Sequence, residues 1–143
     1  MRRIRTHWSG AVAALCIVVL SACGIISKAT AEAGEAVKHF HEQLNAEQYE
    51  DILSQADRGF SEAQSHDQMV KFLSAIHRKL GNAGETKLTG YHVNYGTGGV
   101  FTTTSYTTSY ANGSADETFV WMKSGDKLKL YSYHVSSMAL ITS

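Results

Sequence analysis

The feature that most constrains this chain is a single change of hydrophobic period near Gly81. Before that point apolar residues recur at three- and four-residue steps. From Thr86 onward they alternate with threonine and serine, between short breaks that carry glycine. One such switch predicts helices first and strands afterwards, the order of an α+β domain rather than of alternating βα units. The chain has no proline and 12 glycines, so its turns must be made by glycine and asparagine.

In the first half, Ala33, Ala36, Val37, Phe40 and Leu44 form one apolar helical stripe, with Thr30 placed to cap its start. Asn45-Ala46 breaks it. Tyr49, Ile52, Leu53 and Ala56 predict a shorter second helix, after which Arg58-Gly59-Phe60 leads into a polar loop. Ser65-His66-Asp67-Gln68 reads as a capping box. The third helix then carries Met69, Phe72, Leu73, Ile76 and Leu80 on one face. His77, Arg78 and Lys79 suit its negative end, and Gly81 terminates it.

The second half predicts strands over 86–95, 99–111, 116–123 and 127–137. Their connections are too short for parallel crossovers, so each neighbouring pair is an antiparallel hairpin. The expected architecture is α+β: three N-terminal helices packed on a four-stranded antiparallel meander sheet. In the third strand Glu117, Phe119 and Trp121 share one parity and Thr118, Val120 and Met122 the other, so that strand is central. In the second strand Val100, Tyr106 and Tyr110 point to one side. Phe101, Thr103, Ser105, Thr107 and Ser109 form the wetter face. The fourth strand changes phase between Leu128-Leu130 and Tyr131-Tyr133, which calls for a bulge near Leu130, and Gly90 does the same in the first strand.

The N-terminus has the parts of a secretory signal. Arg2, Arg3 and Arg5 precede an uncharged apolar run from Ala11 to Leu20, followed by the small residues Ser21 and Ala22. Ten helical residues span roughly 15 Å, about half of a bilayer core, so the run is a signal rather than a membrane span. The sequence Leu20-Ser21-Ala22-Cys23 resembles a bacterial lipobox at all four positions. That resemblance implies a diacylglyceryl group on the Cys23 thiol, cleavage after Ala22 and a second acylation of the new amine. Two chains suffice for lasting attachment. Residues 1–22 are then the lipoprotein signal peptide, 23–30 a tether, 31–137 the domain and 138–143 a C-terminal tail. Gly24 in place of the aspartate that retains lipoproteins at the inner membrane implies an outer-membrane address facing the periplasm, where the organism has an outer membrane.

The precursor carries 13 basic and 13 acidic side chains. Removing the three signal arginines leaves ten against thirteen, a net charge of −3. A mildly acidic domain argues against a nucleic-acid partner and against electrostatic binding to anionic lipid. Cys16 leaves with the signal and Cys23 is acylated, so the mature chain forms no internal disulfide and depends on packing. About 120 residues bury a core of ordinary size.

Ala36-Val37-x-x-Phe40, Gln48-Tyr49-x-x-Ile52-Leu53, Glu117-Thr118-Phe119-Val120-Trp121 and the Asp126–Tyr133 segment together resemble cystatin-like folds of the nuclear-transport-factor-two-like and ketosteroid-isomerase-like group. The resemblance covers residues 31–137 and implies a curved sheet around helices, with a conical cavity between. Members with isomerase activity place an acidic base and a tyrosine donor in that cone. Here Asp116 and Glu117 follow a turn and read as solvated hairpin charges. A ligand pocket lined by Tyr106, Tyr110 and Trp121 is the best binding candidate. His92 and His134 would be neighbours if the first and last strands paired, and they are the candidate bases of an isomerase-like or dehydratase-like alternative with a tyrosine donor. No histidine pair has a metal motif's spacing, no Gly-x-Ser-x-Gly elbow frames a serine, and no phosphate or dinucleotide loop occurs. The expectation is therefore a lipid-anchored envelope protein that needs neither metal nor cofactor. It would touch the membrane through its N-terminal lipid and bind an envelope protein partner or a small apolar ligand without catalysis.

Overall fold

The structure, a computed structural model, describes residues 11–142, with side chains from Lys28 onward. The side chains of the Leu20–Cys23 motif, the acylation candidate Cys23 included, and the three N-terminal arginines lie outside the described residues. The chain divides into two compact units, Met1–Glu32 and Ala33–Ser143. The first is helical from Ala11 onward. Helix α1 is assigned over Ala11–Asn45, so Thr30 lies inside a helix instead of capping one. The stretch from Gly24 to Thr30 holds no proline and a single glycine, and nothing in it stops a helix. Among the described residues no helix is long and apolar enough to cross a membrane.

The second unit has the expected order of elements. Helices α2 (Tyr49–Gln55), α3 (Arg58–Ser61) and α4 (His66–Leu80) precede β1 (Ala83–Gly96), β2 (Gly99–Tyr110), β3 (Gly113–Ser124) and β4 (Lys127–Ser136). The strands form one antiparallel sheet in the order β1-β2-β3-β4. This is an α+β fold, helices followed by a meander. Three local signals act as their chemistry requires. Ser65 and Gln68 close a capping box on α4. Gly81 ends α4 at φ +75°, where a Cβ would meet the Ala111 side chain at 2.8 Å. Register shifts fall between Leu88 and Gly90 in β1, and opposite Val120 and Trp121 in β4.

Two short elements replace expected loop and tail. Asp57 Oδ1 accepts the Gly59 amide at 2.8 Å and starts α3. The Asp57 amide in turn donates to the Leu130 carbonyl at 2.8 Å, docking α3 on β4. Ser137 accepts from the Ala139 amide and donates to the Ser114 carbonyl at 2.7 Å, which starts α5 (Met138–Ile141).

The core lies between the helices and one face of the sheet. Phe119, fully buried, sits at its centre. Its ring stacks on Trp121 at 5.5 Å and meets Phe40 of α1 edge-on at 5.2 Å, with Tyr133 at 4.9 Å. Leu44, Leu73 and Leu80 are likewise sealed from solvent. The opposite face of β2 is the wetter one: Phe101, Thr103 and Ser105 are half-buried, while Thr107 and Ser109 are exposed.

Candidate functional site

Four polar side chains meet inside this core. Glu117 of β3 is only 1% exposed. It is buried because it shares the parity of Phe119 and Trp121. Strand β3 begins at Gly113, earlier than the sequence alone suggests, so Glu117 lies within the sheet and not at a hairpin end. The expectation of a solvated charge at Glu117 is therefore corrected; Asp116, of the other parity, is exposed and accepts from Thr107 at 2.7 Å.

Burying a carboxylate costs several kcal/mol unless hydrogen bonds replace its water. Tyr110 of β2 donates to Glu117 Oε1 at 2.7 Å and Tyr133 of β4 donates to the same atom at 2.5 Å. His41 Nε2, on α1, lies 2.9 Å from Oε2, and the pair is almost wholly enclosed. Burial by itself would raise the carboxyl's pKa. Bonding and charge from His41, with help from Thr108 and Tyr133, more than offset it and hold the group below its ordinary range. The Thr108 hydroxyl, near enough to favour the charge, makes no hydrogen bond of its own. Burial first, and then the neighbouring carboxylate, drive the Tyr110 and Tyr133 hydroxyls well above their usual pKa.

The arrangement holds a proton network in place and leaves little free for chemistry. Both carboxylate oxygens are occupied. A general base must reach its substrate and titrate near the working pH, and Glu117 does neither.

A separate cleft opens beside β4, with a volume of about 210 Å³. Phe60 from α3, Met69 and Phe72 from α4, and Tyr131 and Tyr133 from β4 wall it, with Gln64 and Ser132 as polar members. Tyr133 thus borders the cleft while its hydroxyl serves Glu117.

The structure treats the sequence-derived candidates unequally. Tyr106, Tyr110 and Trp121 all lie buried on the inner sheet face, Tyr106 and Trp121 beside Phe119 and Tyr110 beside His41. They are packed: Trp121 Nε1 donates to Thr104 Oγ1 at 3.1 Å, and none of the three lines the cleft. Burial raises the Tyr106 pKa. His92 and His134 are not brought together. They stand exposed on β1 and β4, the two edges of the sheet, opposite Thr103 and Thr118 on the outer face. Three strand spacings, about 14 Å, separate the edges. The paired-histidine expectation fails because the meander never closes β1 onto β4. Among the described residues no group of three or more His, Cys, Asp or Glu is placed to hold a metal ion.

Sequence reasoning missed Glu117, His41, Tyr133 and the cleft. The parity of Glu117 with Phe119 and Trp121 was the available signal. His41 gives a weaker one, lying next to Phe40 and four residues after Val37 on the buried stripe.

No known protein family matches this chain, and no curated protein does. Among solved structures it is similar to Bd1075 of Bdellovibrio bacteriovorus, with 15% identity and a TM-score of 0.41. The similarity covers 73% of this chain and 40% of the other, so the chain spans less than half of that protein's length. Helices followed by a four-stranded antiparallel meander make the chain an α+β protein.

Proposed function

We propose that this chain is a bacterial envelope lipoprotein, anchored through Cys23, whose domain works by binding and not by catalysis. The observation that carries the binding reading is the state of Glu117. The one buried acid among the described residues has both oxygens occupied by Tyr110, Tyr133 and His41, and its pKa is lowered, the wrong direction for a base at neutral pH. The isomerase-like alternative needed His92 or His134 in a closed pocket beside a tyrosine hydroxyl, and both are exposed on the outer face. The anchoring reading is supported by Leu20-Ser21-Ala22-Cys23 after a short apolar run, and Gly24 favours the outer membrane.

Growth with labelled palmitate tests the anchor: label enters the wild-type protein and not Cys23→Ser, which no longer fractionates with lipid. Unlabelled wild-type protein would overturn it. The binding reading falls if the folded protein turns over a substrate and Glu117→Gln, still folded, does not.

A further inference from the structure

Resting on the binding reading above, we infer that the cleft beside β4 is a site for an uncharged, ring-sized aromatic molecule. Two features of the sequence converge on its mouth. The register shift in β4 leaves Tyr131 as the extra residue, because Val120 pairs with Ser132 and Trp121 with Leu130. A bulge re-aims the side chain it carries. Opposite it stands Gly59 of α3, where two ring carbons of Tyr131 occupy the place a Cβ would need. The bulge turns Tyr131 toward α3, and the missing side chain lets the ring lie against the backbone.

The ring's other neighbour is Phe101, edge-on at 5.0 Å. Tyr131 is nonetheless 39% exposed, and Phe72 on the opposite wall is 38% exposed. Each ring already meets one aromatic neighbour, Tyr131 with Phe101 and Phe72 with Tyr133 at 6.3 Å, and each keeps open surface on its side of the concavity. Concave, mostly apolar sites with a few polar groups are the usual form of small-molecule pockets.

The lining selects the chemistry. No charged side chain borders the cleft, so an ionic ligand would lose its hydration there with nothing in return. An apolar cavity of about 150 Å³ holds a benzene ring, so about 210 Å³ has room for one or two fused rings. Gln64 and Ser132 offer a hydrogen bond to one polar atom on the ligand's edge.

The test uses the full-length protein in detergent micelles, with indole as the probe and benzoate and benzylammonium as charged controls. Free probe is fixed by dialysis against the same micellar buffer, and amide shifts of Gly59, Ala63 and Gln64 are followed by NMR. Ala63→Trp fills the cleft from its exposed rim. Phe72→Ala removes one wall while leaving the sealed core residues of α4 in place. Indole is expected to shift these amides saturably. Either variant should weaken it at least tenfold, and both charged rings should bind at least tenfold more weakly. Absence of saturation in the folded wild type, wild-type affinity in either variant, or equal binding of a charged ring would overturn the assignment. Such a failure removes this site alone, because the non-catalytic reading stands or falls separately on turnover.

Discussion

Removing Glu117 and His41 together should cost less than the sum of the losses when each is removed singly. In Glu117→Leu the Tyr110 and Tyr133 hydroxyls and the His41 ring lose their common partner. Each buried group left unsatisfied costs about 1–3 kcal/mol, though the two hydroxyls can partly re-pair, so the loss should be about 3 kcal/mol or more. In His41→Leu the carboxylate keeps its two hydroxyl donors but loses the ring that faces Oε2 at 2.9 Å, at a cost of about 3 kcal/mol, since a buried charged group left short of a partner costs more than a neutral one. The double variant leaves no buried charge and only two hydroxyls to satisfy, so it should fall short of the summed single losses by about 2 kcal/mol or more. Urea unfolding of the full-length chain at neutral pH measures all four corners, against a total stability of about 5–15 kcal/mol for an ordinary domain. Additivity within about 0.5 kcal/mol would refute the reasoning, because it would mean the two side chains do not depend on one another.

Three further outcomes follow from the same geometry. Because the folded-state pKa of Glu117 lies below its ordinary value of 4.5, its contribution to stability is complete above that value and is lost as pH falls through the folded pKa. The wild-type urea midpoint should therefore drop on acidification below about pH 4, with part of that drop absent in Glu117→Gln; identical acid profiles would contradict it. Gly59→Ala should destabilise by about 1–3 kcal/mol, since a methyl group there collides with the Tyr131 ring, whereas a neutral effect would mean the ring moves freely. His92→Ala and His134→Ala should each stay within about 0.5 kcal/mol of wild type, as exposed side chains usually do, and a larger loss in either would show an unrecognised role.

The sequence made the order of elements legible because one period change separates two kinds of local pattern. It also showed two of the three register shifts, since the phase change around Leu130 and the glycine at position 90 are local facts; the shift between Ala83 and Thr86 left no such mark. Helix α3 was not legible. Four residues carry no period, and its cap, Asp57, acts partly through a bond to Leu130 far along the chain. Glu117 was half-legible: its parity placed it with Phe119 and Trp121, but its proximity to a turn argued for solvent. What decides the matter is non-local, because the partners that make burial tolerable come from α1, β2 and β4. The same holds for the candidate pocket of Tyr106, Tyr110 and Trp121. Alternation put them on one face, yet their neighbours are non-local: Phe119 stands beside Tyr106 and Trp121, and His41 of α1 beside Tyr110. The cleft was invisible, since Gly59, Phe72 and Tyr131 meet only after folding.

The ionisation of Glu117 itself is the most direct measurement. With the glutamate carboxyl carbons labelled, NMR titration of the full-length chain follows that group alone, assigned by its disappearance in Glu117→Gln. The carboxyl signal is expected to stay in its charged position from about pH 8 to about pH 5 and to begin protonating only below the range of ordinary glutamates. A midpoint near neutrality would contradict the account, for it would mark a group poised to exchange a proton inside the domain instead of one locked among its partners.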